Sequence, residues 1–116
     1  MSLLTKISIL IISLASVISE AYPQSPWRIL TRPTSKDLYR LCFLDSLRGW
    51  VVGEHGTIMK TTEGGRSWML QKSNVREDII DIHMVNERLG WALAHIYPAD
   101  TGSVYGTILL KTTNGG

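Results

Sequence analysis

Gly49-Trp50-Val51-Val52-Gly53-Glu54-His55-Gly56-Thr57-Ile58-Met59-Lys60-Thr61-Thr62-Glu63-Gly64-Gly65-Arg66-Ser67-Trp68 is the stretch around which this chain is organised. It reads as two short strands and a glycine-tipped turn ending on a tryptophan. Most of it occurs a second time. Gly90-Trp91-Ala92-Leu93 repeats its start, and Gly106-Thr107-Ile108-Leu109-Leu110-Lys111-Thr112-Thr113-Asn114-Gly115-Gly116 repeats its end.

Outward from this core the repeat extends to the flanks. Trp50 and Trp91 are 41 residues apart, as are Trp27 and Trp68, and Asp37 and Asp78. The two aspartates open matching segments. In the first, Tyr39, Leu41 and Phe43 alternate onto one face, and Ile80, Ile82 and Met84 take the same places in the second. The other face is mixed: Leu38, Arg40, Cys42 and Leu44 against Ile79, Asp81, His83 and Val85. A polar turn follows, then a strand from Trp50 or Trp91, a strand from Thr57 or Thr107, and in the first unit a fourth strand from Trp68. Aromatic and β-branched content with regular turn signals favours sheet.

Four strands at this period point to an all-β propeller, whose blades of four antiparallel strands stand around a channel. The sequence predicts about two blades, the first over residues 37–72 and the second over 78–116, of an incomplete ring. Such rings use roughly four to eight blades. The segment 22–36 holds a Trp27-led piece that resembles a fourth strand with no first three before it, a candidate for closing the ring.

Residues 1–21 read as a secretory signal peptide, a helix ahead of the propeller. Lys6 supplies the positive region, Ile7 to Ile18 the apolar run, and Ser19-Glu20-Ala21 small residues at both positions inspected for cleavage before Tyr22. The run is too short to span a bilayer, which needs roughly 20 residues, so no stable membrane insertion is expected after cleavage. No lipobox-like cysteine follows it. Secreted, periplasmic or cell-surface placement is expected. The net charge of +2 is too small and dispersed to indicate nucleic acid or anionic lipid. The single cysteine, Cys42, has mostly apolar neighbours and reads as a structural thiol.

Thr61-Thr62-Glu63-Gly64-Gly65-Arg66-Ser67-Trp68 resembles the Asp-box (BNR) motif. In that motif a short polar side chain ties back to turn amides, glycine permits positive φ, and tryptophan packs beneath the hairpin. Thr61, Glu63, Gly65, Ser67 and Trp68 form the first box, and Thr112, Asn114 and Gly116 begin the second. Glu63 and Asn114 stand where the motif usually has aspartate. The longer phrase, from Gly49-Trp50 to Trp68, is similar to the repeat of the photosystem II stability/assembly factor family. That resemblance implies a non-catalytic binding, scaffold or assembly role, and a structural role for the box away from the ligand face. Members in photosynthetic organisms assist assembly of a membrane complex from the lumenal side. The alternatives are a sialidase-like glycoside hydrolase or a surface adhesion module. Sialidases of this fold assemble an arginine cluster, a tyrosine with its glutamate, and an aspartate from several blades, and no part of that pattern is matched here.

Five residues are candidates for binding: Arg40, Asp81, His83, Tyr97 and Asp100. Arg40 and Asp81 hold equivalent positions in adjacent units, so an inter-blade salt bridge competes with a polar ligand patch. Tyr97 and Asp100 lie in the ten-residue insertion from Ile96 to Tyr105, which stands where the first unit has only His55. Long loops on one face of a rigid scaffold are where binding concentrates. The histidines His55, His83 and His95 are spaced by 28 and 12 residues, which matches no short metal motif. No metal, cofactor or catalytic residue is expected. The expected partner is a protein or glycan on the propeller face.

Overall fold

The computed structural model describes residues 25–99 and 102–116. The signal-peptide expectation and the candidate Asp100 lie outside these residues. Seven strands follow in order: β1 (Leu38–Phe43), β2 (Gly49–Gly53), β3 (Thr57–Thr61), β4 (Met69–Gln71), β5 (Asp78–Met84), β6 (Gly90–Ile96) and β7 (Gly106–Thr112). They form two antiparallel meanders, β1-β2-β3-β4 and β5-β6-β7. The all-β expectation of two adjoining blades therefore holds, the second showing three strands among the described residues. No described helix is long and apolar enough to cross a membrane.

The core lies between the sheets. Trp50 and Val52 of β2 pack against Ile79, Ile82, Met84, Ala92 and Ala94 of the second sheet. Cys42 and Ile58 close the edges of this cluster, so the free thiol is half-buried packing. The strict alternation expected of the inner strands fails at one place in each. Register shifts at Tyr39 in β1 and at Ile80 in β5 mark equivalent β-bulges. A bulge adds a residue to one strand and resets which face follows. Ile79, expected on the mixed face beside Asp81, consequently joins Ile82 and Met84 in the core, and Ile80 does not.

Each Gly-Trp pair has a packing reason. A Cβ on Gly49 would lie 2.6 Å from the Phe43 ring, and one on Gly90 would lie 2.1 Å from Met84 Sδ. Each glycine is thus covered by the large side chain opposite it on the inner strand. The tryptophan beside it points to the other face, where Lys60 lies over Trp50 at 5.3 Å and Lys111 over Trp91 at 5.8 Å. Trp68 packs edge-on against Phe43 with centroids 6.1 Å apart.

The box turns are tied by their threonines. Thr61 Oγ1 accepts from the amides of Glu63 (3.2 Å) and Gly65 (2.9 Å), while Glu63 receives the Ser67 hydroxyl at 2.8 Å. In the second copy Thr112 Oγ1 and Asn114 Oδ1 both accept from the Gly116 amide at 3.1 Å. Each box then docks on the β1–β2 or β5–β6 turn of its own blade, Gly64 N–H donating to Leu47 O and Gly115 N–H to Arg88 O, both at 2.8 Å.

Those docking turns are themselves capped. Asp45 Oδ1 accepts from the amides of Leu47 (2.9 Å) and Arg48 (2.7 Å), and Asn86 does the same for Arg88 and Leu89. Arg48 also reaches across the blade boundary to Glu87. The Arg48 and Leu47 amides, then the Arg48 guanidinium, hold the Asp45 carboxyl below its ordinary value. A carboxyl lowered in the folded state contributes stability above its unfolded pKa of about 3.9, and that contribution is lost as pH falls through the folded value. Asp45→Asn, which copies Asn86, is expected to keep the turn but reduce the acid-dependent loss of stability below roughly pH 4. Melting curves of both proteins across the acid range test this, and parallel pH profiles would refute it.

Ahead of β1, residues 25–37 contain no strand. Trp27 is 87% and Ile29 103% exposed, so the expected ring-closing strand has no partner strand among the described residues. Leu30 and Arg32 instead border an apolar groove of about 360 Å³ on the outer face of the first sheet, with Leu41, Val51, Met59 and Trp68.

Candidate functional site

The ends of the blades opposite the box turns come together as a cleft. It is built from the β2–β3 hairpin of the first blade, the crossover at residues 72–77, and the start of the β6–β7 loop. The hairpin is a single tight turn, Glu54–Gly56, in which His55 takes φ 52°. Backbone contacts fix it there: Glu54 N–H donates to Asp37 O at 2.9 Å and Gly56 N–H to Glu77 O at 2.8 Å. His55 N–H donates to Asp78 Oδ1 at 3.0 Å, so a carboxylate of the second blade holds the first blade's hairpin.

The cleft is about 310 Å³, lined by His55, Arg76, Glu77, Asp78, His95, Ile96 and Tyr97. His95 Nδ1 and the Tyr97 hydroxyl are 3.1 Å apart, with the rings edge to face. His55 Nδ1 lies 3.7 Å from Glu54 Oε1. Nearby on the β1 bulge, Tyr39 is pushed above its ordinary pKa, first by partial desolvation and then by the charges of Asp78, Glu54 and Asp37. Its phenol stays a hydrogen-bond donor through neutral pH. Carboxylates outnumber the one arginine around this cleft, so its field suits a partner carrying positive charge or donors.

The sequence candidates separate. Tyr97 belongs to the cleft. Arg40 Nε and Asp81 Oδ1 join β1 to β5 across the blade boundary at 3.0 Å, with both side chains about half exposed. An exposed pair of this kind contributes about 0–1 kcal/mol. His83 pairs with Trp91 on the outward face of β5, toward the opposite end from Asp78. Ile96 ends β6 rather than opening the insertion. Sequence reasoning missed Arg76, Glu77 and Asp78 as cleft residues. The available signal was the blade geometry: crossover and hairpin fall at one end because strands alternate direction. Among the described residues no three His, Cys, Asp or Glu side chains gather as metal ligands do.

Comparison with known proteins places the chain in a family. The family model described as Photosynthesis system II assembly factor YCF48 matches residues 19–116. The photosystem II assembly protein Ycf48 of Thermosynechococcus vestitus is 35% identical over 48 residues, which cover 41% of this chain and 14% of that protein. The photosystem II assembly lipoprotein Ycf48 of Picosynechococcus sp. is 30% identical over 63 residues, 53% of this chain and 18% of its own length. The protein of the same description from Prochlorococcus marinus is 35% identical over 54 residues, 47% and 16% of the two chains. The matches thus span less than a fifth of each relative. No solved structure matches. With its repeats, box turns and stacked blades, the chain belongs to the Photosynthesis system II assembly factor YCF48 family.

Proposed function

We infer that this chain is an exported, non-catalytic binding module that holds a protein partner during assembly of a membrane complex. The match of the assembly-factor family model over residues 19–116 carries this reading. Photosystem II components are the proposed partners, from the names of its relatives, two of which are called lipoproteins, in keeping with an extracytoplasmic site.

The proposed contact surface is the cleft around His55, Asp78, His95 and Tyr97, with Arg40 and Asp81 on the adjoining inner strands. Its carboxylates favour a basic segment of the partner, and Tyr97 offers an aromatic face with a polar tip, a side chain suited to anchoring. Immobilised protein is expected to retain photosystem II assembly intermediates from solubilised thylakoids. Replacing Glu77 by Lys together with Tyr97 by Ala should weaken retention at least about tenfold, the effect of losing roughly 1.4 kcal/mol or more, with circular dichroism unchanged. Equal retention by wild type and variant would overturn the cleft as the contact surface. Absence of any retention, or hydrolysis of sialylated substrates by the purified protein, would overturn the non-catalytic assembly reading.

A further inference from the structure

The second box turn sets an exposed asparagine against a buried glycine. Asn114 is exposed, as is its equivalent Glu63, which β4 follows, while Gly115 is buried. Asn114 Oδ1 accepts from the Thr112 hydroxyl at 3.0 Å and the Gly116 amide at 3.1 Å. Its carboxamide nitrogen has no partner among the described residues. Gly115 is held at both ends. Its N–H donates to Arg88 O at 2.8 Å, and its carbonyl accepts from the Trp50 indole of the neighbouring blade at 3.0 Å. It takes φ +78°, and a Cβ there would lie 2.1 Å from the Glu87 carbonyl oxygen. Docking of this turn therefore requires glycine directly after Asn114.

Asparagine before glycine is the arrangement most open to attack by the next backbone nitrogen, because no side chain shields that nitrogen. Asparagine is a thermolabile residue. The other two asparagines of the chain, Asn74 and Asn86, precede Val75 and Glu87, whose side chains crowd the same approach. The first box has the carboxylate of Glu63 before its glycine and carries no amide to lose.

We propose that Asn114-Gly115 is a self-modification site at the blade boundary, closed while the box turn is docked and open when it undocks. In the undocked turn the Gly115 nitrogen gives up its proton to solvent and attacks Asn114 Cγ. A C–N bond forms, the Cγ–Nδ2 bond breaks, and the nitrogen leaves as ammonia with a proton taken from water. Water then opens the cyclic imide. Cleavage at Cγ yields aspartate, and cleavage at the Asn114 main-chain carbonyl yields isoaspartate, whose main chain runs through Cγ. In the docked turn the Gly115 proton is committed to Arg88 O, and Trp50 fixes the far side of the same residue. The two products differ in consequence. Aspartate offers an oxygen to the same Thr112 and Gly116 donors, with charge to strengthen both bonds. Isoaspartate lengthens the main chain by one carbon, so Gly115 loses its register with Arg88 and Trp50.

Peptide mapping by mass spectrometry of the purified protein, held in mildly alkaline buffer, reads conversion at each asparagine. In urea, Asn114 is expected to convert at least about tenfold faster than Asn74 and Asn86, and at least about tenfold faster than in folded protein, where the turn opens only transiently. Trp50→Phe removes one bond from Gly115 and should raise the folded-state rate about three- to tenfold. Ile79→Val loosens the core at the cleft end of β5 without touching the turn, and should raise it less. Asn114→Asp, the first product, should melt at or above the wild-type temperature. Conversion of Asn114 no faster than Asn74 and Asn86 in urea, or as fast folded as unfolded, overturns the proposal. So does equal acceleration by Trp50→Phe and Ile79→Val, or an Asn114→Asp protein that melts below wild type.

Discussion

Replacing Gly56 by Ala is expected to destabilise the protein by about 3–5 kcal/mol, among the larger effects of a single substitution. Gly56 sits in the β2–β3 hairpin at φ +70°, and a Cβ there would lie 2.0 Å from the Val75 carbonyl oxygen and 2.8 Å from Ser73 Oγ. The positive φ alone costs an L-residue about 1–2 kcal/mol. The clash is with backbone rather than a flexible side chain, so relief requires moving the hairpin off the crossover. That movement breaks the Gly56 N–H bond to Glu77 O and loosens the cleft to which His55 contributes. Gly102→Ala is the matched control. It has φ +63° and nothing within 4 Å of the added Cβ, so it bears only the conformational cost. Urea unfolding of the two variants separates the terms. Equal loss in both would show that the close approach at Gly56 does not constrain the fold.

The second large effect is expected at Trp50, which is buried and bridges the two blades. Trp50→Ala should cost about 3–5 kcal/mol through lost burial and the cavity left among Val52, Ile82 and Met84. Trp50→Phe keeps most of the ring but leaves the Gly115 carbonyl without its donor, at about 1–3 kcal/mol. At roughly 4–8 °C per kcal/mol for a domain of this size, the alanine variant should melt at least about 12 °C lower. Trp91→Ala supplies the contrast, since its indole lacks an equivalent acceptor among the described residues. It should lose clearly less, because Trp91 is half-buried where Trp50 is 1% exposed. Similar losses at Trp50 and Trp91 would contradict the inter-blade role assigned to Trp50.

Much of the fold was legible before any coordinates. The repeat at 41 residues, the order of strands and the chemistry of the box turns depend on local spacing, and local spacing is written in the chain. Within the motif, the Gly65 amide donates to Thr61 Oγ1 and Trp68 packs edge-on against Phe43. Glu63 illustrates the limit of even this local reading. Its longer side chain bonds Ser67, leaving the turn amides to Thr61, whereas the shorter Asn114 does reach the Gly116 amide.

What each blade buries was not decided by its own periodicity. Leu41 and Ile82 are equivalent in sequence, yet Leu41 is 57% exposed and Ile82 9%, because the first sheet covers only one of them. The bulges at Tyr39 and Ile80, invisible to a period-two pattern, sent Ile79 into the core. Trp50 finds its acceptor 65 residues away, on a neighbouring blade. The cleft is likewise a product of stacking, since His55 comes from one blade and His95 and Tyr97 from the next. The sequence by itself determined the repeating unit, because turns and strand alternation are set by neighbours along the chain. Only the tertiary structure decided which faces are core and which groups meet, because burial is set by the sheet that stacks against them.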